Sequence, residues 1–250
     1  MKIEKYLYKG YSIYFPTTNL ERKEYGENII DNNFKVLKVL KDTKRNYVAI
    51  VEIKNKKYIL KEFRSEVVIP QRKIQTIFKE GEALKTLKNG YAAINEGIIE
   101  LVEPILAIVK KGIFIEKSFL LMEYIEGNIL RTKEDIDKVI EIIKKVHNIG
   151  RYHGDLNTSN FIKINDGLKI IDTQMKKEKF WNFKKVYDIL TLKEDLLVLE
   201  LKYEVEKKYI LNKKSLSFIL ANFLKKTKKL KFVEAFRNFK KNLRKKGWKI

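Results

Sequence analysis

Cysteine is absent from all 250 residues, and histidine occurs only twice. The first absence removes disulfides, thiol catalysis and thiolate zinc sites together. The second argues against a histidine-built metal centre. No run of about 18 apolar residues is present, so no segment is expected to span a bilayer. Residues 1–15 lack the charge, apolar stretch and small-residue cleavage site of a secretory leader, and a cytoplasmic location is expected. No helix-turn-helix, zinc-finger or aromatic RNA-binding signature accompanies the basic charge, so no specific nucleic acid is expected as a partner. Acidic residues are the minority charge, 32 against 54 basic ones, for a net charge of +22. That excess leaves a nucleic-acid binder and a membrane-surface protein as classes to test.

A 44% hydrophobic composition is enough for a real core in a chain of this length. The informative segment is His153-Gly154-Asp155-Leu156-Asn157-Thr158-Ser159-Asn160, followed by Ile170-Ile171-Asp172. It places an Asp and an Asn five residues apart on one loop and delivers a second Asp beyond a hairpin. The hairpin is predicted from Asn165-Asp166-Gly167 between two apolar runs. Phosphoryl transfer needs one carboxylate to receive the acceptor's proton and hard oxygens to hold magnesium on the phosphates. Asp155 suits the first task. Asn160 and Asp172 suit the second, since magnesium keeps several waters and asks little more of the protein. Upstream, Thr132 is a predicted helix cap, with Glu134 and Asp135 in the first turn. Ile136, Val139, Ile140, Ile143 and Val146 form that helix's buried stripe, and Gly150 ends it in the left-handed conformation.

With these residues in view, His147-x-x-Gly150-x-x-His153-Gly154-Asp155-Leu156-x-x-x-Asn160-Phe161 and the later Asp172 resemble the catalytic and metal loops of the protein-kinase-like superfamily. The resemblance implies an α+β, two-lobed fold: a small antiparallel β lobe with one helix, and a larger, mostly helical lobe. The expected boundaries are an N-terminal extension at 1–33, possibly an added strand, a nucleotide-binding lobe at 34–124 and a catalytic lobe at 125–250. The stretch 20–33 is polar enough to read as a linker.

On the same resemblance Lys61, in the second of two strands joined by a turn at Lys54-Asn55-Lys56-Lys57, grips the phosphates of ATP. A helix from Ile74 to Leu87 supplies its acidic partner. Glu80 lies four before Leu84 and shares the buried face, so it is favoured, with Glu82 as the alternative. The strand through Phe119-Leu120-Leu121-Met122 and on to Gly127 resembles the hinge that reads adenine. Met122 backs the pocket, and the backbone of Glu123, Tyr124 and Ile125 supplies donor and acceptor. Asp188, alone in an apolar helix, matches the acid that anchors the catalytic loop from below, with an exposed helix acid as the other reading. His147 is expected to be structural and His153 to brace the loop.

Departures from ordinary protein kinases bear on the substrate. The turn 41–46 has no glycine, so phosphate contacts there fall to Lys44, Arg45 and backbone amides. Gly154 stands where regulated kinases carry Arg, and no Ala-Pro-Glu follows Asp172, the prolines being Pro16, Pro70 and Pro104. These features are most similar to the bacterial heptose kinases of the lipopolysaccharide core. They imply ATP and Mg2+ as cofactors and a lipid-linked glycan as acceptor, at the inner face of the inner membrane of a Gram-negative bacterium. Phe232, Phe236, Phe239 and Leu243, set among lysines and arginines, form a predicted basic amphipathic helix. It either lies on an anionic membrane surface or docks on the large lobe. A kinase for another small molecule, a compact atypical protein kinase and a nucleic-acid binder are the competing readings.

Overall fold

The computed structural model describes residues 2–165 and 167–228. The predicted basic helix at 228–246 therefore lies essentially outside the described residues. The chain begins with β1 (Ile3–Tyr8), β2 (Tyr11–Pro16) and α1 (Arg22–Ile30). It continues through β3 (Lys35–Asp42), β4 (Tyr47–Ile53), β5 (Lys56–Glu62), α2 (Ser65–Val68), α3 (Pro70–Gln75) and α4 (Glu82–Asn95). The strands β6 (Pro104–Lys111) and β7 (Ile115–Glu123) complete the first lobe. The second lobe holds α5 (Lys133–Asn148), β8 (Arg151–Tyr152), β9 (Phe161–Ile164), β10 (Gly167–Ile170) and β11 (Lys176–Lys177). Its remaining helices are α6 (Phe183–Leu192), α7 (Leu196–Glu200), α8 (Val205–Lys208) and α9 (Leu216–Lys228). The architecture is α+β and two-lobed, as the kinase-like resemblance implies. No helix among the described residues is long and apolar enough to cross a membrane.

Seven strands form one antiparallel sheet in the order β1-β2-β6-β7-β5-β4-β3. Alternation drives it. In β4, Ala49, Val51 and Ile53 are buried and the residues between them are not. One face packs with Ile29 of α1, around Ile13, Phe15, Val51 and Leu106. The opposite face packs against α4, whose Leu84, Leu87 and Tyr91 meet Val109, Ile115 and Leu120. The β4–β5 connection is tighter than the four-residue turn expected. Lys54 and Asn55 both take positive φ, 51° and 62°, as a two-residue hairpin loop demands, while Lys56 and Lys57 already pair with Ile53 and Glu52.

The strand that residues 1–33 possibly add is present, since β2 lies in the sheet between β1 and β6. Three other expectations need correction. The stretch read as a linker contains α1. The first lobe has four helical segments rather than one, and the helix expected over 74–87 is broken into the end of α3 and the first turns of α4. Gly81, at φ +91°, separates α3 from α4, a backbone conformation that an L residue adopts only at a cost.

The second lobe has its own core, built from the predicted stripe of α5 together with Leu156, Phe161, Ile170 and Ile189. Thr132 caps α5 in a reciprocal capping box with Asp135. Asp135 is buried, which pushes its carboxyl up. The backbone N–H of Arg131 and the Lys163 ammonium outweigh that burial and hold it below the usual range. The Lys163 contact, 2.7 Å long, ties the start of α5 to β9. Gly150 is left-handed at φ +75°, and the hairpin pairs Phe161 with Ile170 and Ile164 with Gly167, in agreement with the sequence.

Candidate active site

The loop between β8 and β9 hangs from a carboxylate in the helix beneath it. Asp188 is buried in α6 and accepts the backbone N–H of His153 at 2.6 Å on one oxygen and that of Gly154 at 3.0 Å on the other. The anchoring reading of Asp188 therefore stands, and the exposed reading does not. His147 Nε2 lies 3.4 Å from the same carboxylate and its Nδ1 is 2.8 Å from the Tyr209 hydroxyl, a packed structural role.

His153 is fully buried against the Phe161 ring. Its Nδ1 accepts the Asp155 N–H at 3.3 Å, which places the ring proton on Nε2, and burial holds the imidazole below its ordinary value of 6.5. It braces the loop as a neutral ring. Gly154, at φ +94°, has the Gln174 side chain 3.2 Å from where a Cβ would stand, so an Arg here would be strained as well as crowded.

A second anchor escaped the sequence reading. Asp195 precedes α7 and caps it, and the same carboxylate accepts from Thr158 N at 3.0 Å and Thr158 Oγ1 at 2.8 Å. The pattern Asp-Leu-Leu at a helix start was the available signal. Between these supports Asp155 is exposed at the cleft floor. Asn160 donates from Nδ2 to the Asp155 carbonyl at 2.8 Å, so its amide oxygen is the atom left for a cation. The Ile171 N–H donates to the Asn160 carbonyl at 3.0 Å, bringing Asp172 beside Asn160.

From the other lobe, Lys61 on β5 reaches across the cleft. Its Nζ is 2.9 Å from Asp172 Oδ1, joining residues 111 positions apart. The Lys61 side chain is 16% exposed and Asp172 61%, so the pair straddles the cleft mouth. A cavity of about 190 Å³ is lined by Lys61, Asp155, Asp172, Glu82 and Asn46. A more apolar one of about 350 Å³ continues from it, walled by Leu40, Val48, Ile59, Met122, Ile162 and Ile171. Lys61, Met122 and Asp172 line both, as adjoining phosphate and base compartments of a nucleotide would require. Glu123, Tyr124 and Ile125 line the apolar part. The Glu123 N–H is itself engaged by the Glu103 carbonyl at 3.0 Å, which passes any donor role to the residues after it.

The acid partner of Lys61 is where geometry departs from expectation. Glu80 precedes α4, forms an ion pair with Lys88 and is absent from the lining of the Lys61 cavity. The face-sharing argument assumed one continuous helix, and Gly81 breaks it. Glu82, the alternative, is the first residue of α4 and lines the cavity. Its N–H is capped by the buried Glu66 carboxylate at 2.8 Å. The turn 43–46 also differs: Thr43 Oγ1 accepts the N–H groups of Arg45 and Asn46 at 3.3 and 3.0 Å, so those two amides are already used within the turn.

The donor set fits magnesium rather than zinc. One carboxylate and one amide oxygen are hard ligands, and no cluster of three or more His, Cys, Asp or Glu able to hold a metal occurs among the described residues.

Residues 2–231 match the family model described as "Lipopolysaccharide core biosynthesis protein (WaaY)". The chain belongs to this family. Among curated proteins it is similar to the lipopolysaccharide core heptose(II) kinase WaaY of Escherichia coli, with 26% identity over 176 residues, covering 68% of this chain and 76% of that protein. The protein of the same name from Escherichia coli strain K12 is 25% identical over 181 residues, 70% of this chain and 78% of its own length. This WaaY-family member is a phosphotransferase, and the cleft just described is its one site that joins a candidate base, an ammonium and hard oxygen ligands among the described residues.

Proposed function

We propose that the protein transfers the γ-phosphoryl group of ATP to a heptose hydroxyl of the lipopolysaccharide core. The observation that carries this reading is the Lys61–Asp172 contact at 2.9 Å, in the cavity that Asp155 also lines. Asp155 accepts the proton of the attacking hydroxyl as the new P–O bond forms and the bond to the ADP oxygen breaks. Lys61 holds the phosphates, and Glu82, rather than Glu80, orients Lys61. Asn160 Oδ1 and Asp172 hold Mg2+, which would offset charge on the phosphates. Met122 backs the adenine, and Glu123, Tyr124 and Ile125 present their backbone to its edge. The Asp188 and Asp195 anchors keep the loop in register without touching substrate.

The acceptor is a lipid-linked glycan, so the protein works peripherally at the inner face of the inner membrane, its excess of 22 positive charges attracted by anionic headgroups. Mass spectrometry of the core glycolipid, incubated with the protein, ATP and Mg2+, tests the reaction. A product heavier by one phosphate, absent with Asp155→Ala, is expected. Labelling of protein instead of glycan would favour the atypical protein kinase, and an unmodified glycan with intact nucleotide hydrolysis would overturn the acceptor.

A further inference from the structure

On the far side of α4 from the sheet, a concave basin of about 710 Å³ opens between the lobes. One wall is α4, with Lys85 and Lys88. The other comprises β11, with Lys176 and Lys177, then Lys179, and Lys184 at the start of α6. Two carboxylates line it, and both are committed elsewhere. Glu96 holds Arg151 through two bonds of 2.6 and 2.9 Å. Glu178 accepts four backbone N–H groups, from Lys179, Phe180, Lys184 and Lys185. Lys88 is paired with Glu80, and Lys177 reaches Glu96 only at 3.9 Å. Lys85, Lys176, Lys179 and Lys184 have no carboxylate within salt-bridge reach among the described residues.

Lys176 is the least comfortable of them. It is partly buried, and its Nζ donates to Gln174 Oε1 at 2.6 Å. Burial, then the Lys85 ammonium, with Lys184 and Lys79 behind it, outweigh the opposing pull of the Glu82 carboxylate and hold it below the usual ammonium range. A partly desolvated cluster of like charges raises the free energy of the folded chain unless an anion occupies it. Here the lysines converge from both lobes.

We propose that this basin is a second anion site that takes a phosphoryl group, distinct from the nucleotide cleft. Its position gives it leverage on that cleft. Lys85 lies one turn beyond Glu82 on α4, and Gln174, which binds Lys176, donates its N–H to the His153 carbonyl at 3.0 Å. A phosphoryl group bridging Lys85 to Lys176 and Lys184 clamps α4 to the second lobe and holds Glu82 at the Lys61 cavity. The group is either free phosphate or a phosphate already carried by the glycan acceptor, the latter resting on the function proposed above.

The test is calorimetric titration of inorganic phosphate into the full chain, saturated with a non-hydrolysable ATP analogue and Mg2+, at chloride-matched ionic strength. Wild type is expected to show saturable binding, and the Lys85→Gln/Lys176→Gln/Lys184→Gln variant binding weaker by about 10-fold or more. The variant should melt no lower than wild type without phosphate, since repulsion is removed. Failure of the analogue to bind would sink the kinase reading alone, because phosphate binding to the nucleotide-free chain still reports on the basin. With glycan acceptors, a KM raised in the variant only for the phosphorylated form, and not after phosphatase treatment, identifies the acceptor's phosphate. Stimulation of wild type by free phosphate with both forms identifies the free ion. No saturable phosphate binding by wild type, or equal affinity in the variant, overturns the proposal.

Discussion

Below the cleft, the loop carrying Asp155 and Asn160 is fixed by two carboxylates, the buried Asp188 through two backbone amides and the half-buried Asp195 through the Thr158 amide and hydroxyl. Above it, β3 is an edge strand exposed along all eight residues, paired to β4 through two irregularities, and the turn that follows folds on Thr43. Both walls face the proposed nucleotide site, yet they differ sharply in burial. A buried polar anchor costs heavily to break because its partners are left unpaired, whereas exposed strand and turn residues exchange their contacts for water. Positioning in this protein therefore comes from below and across, through Asp188, Asp195 and Lys61. The upper edge contributes coverage.

The largest effect should follow from the floor itself. Asp155→Ala is expected to lower kcat by about 100-fold to 10,000-fold with the fold unchanged by circular dichroism, as loss of a positioned proton acceptor implies. Next, Asp188→Ala leaves two backbone donors of the loop without their carboxylate. A loss of about 1–3 kcal/mol per unpaired donor is expected in urea unfolding, together with reduced turnover. Glu82→Ala should raise the KM for ATP by about 10-fold to 100-fold, the worth of a charge-assisted contact. Glu80→Ala, which loses only an exposed pair with Lys88, should leave that KM nearly unchanged. Equal effects of the two would restore Glu80 as a candidate.

A pH experiment sharpens the comparison further. Burial holds His153 below its ordinary 6.5, so the unfolded chain binds a proton before the folded one does. Stability from this group is complete above that value and falls as pH drops below it, by up to about 1.4 kcal/mol per pH unit. His153→Gln should flatten that part of the profile, read as the difference in urea midpoints between wild type and variant from pH 7.5 to 5.5. The smallest effect is expected from Lys44→Ala and Arg45→Ala on the upper wall, about 0.5 kcal/mol or less in stability.

The lower wall was legible because its chemistry is written contiguously. The ordered string from His147 to Asn160, the hairpin and Asp172 mark the candidate ligands in one stretch of sequence, although Asp188 and Asp195 hold that stretch in place, and the Thr132 cap of α5 and the left-handed Gly150 follow from local rules. The acid partner of Lys61 was not, because apolar residues on both sides of Gly81 keep helical spacing although the chain does not continue as a helix. The α1 segment was missed for a related reason: it buries mainly Gly26 and Ile29 and shows almost no apolar stripe. Asp195 looks like any helix cap in sequence, and its bonds to Thr158 depend on two segments 37 residues apart.

The central claim is that Lys61, Asp155, Asn160 and Asp172 serve one magnesium-bound triphosphate. Calorimetry of ATP binding, with and without Mg2+, in wild type and Asp172→Ala, tests it most directly. Wild type should bind much more tightly with Mg2+, and Asp172→Ala should lose that dependence. Equal Mg2+ dependence in the two proteins would contradict the claim.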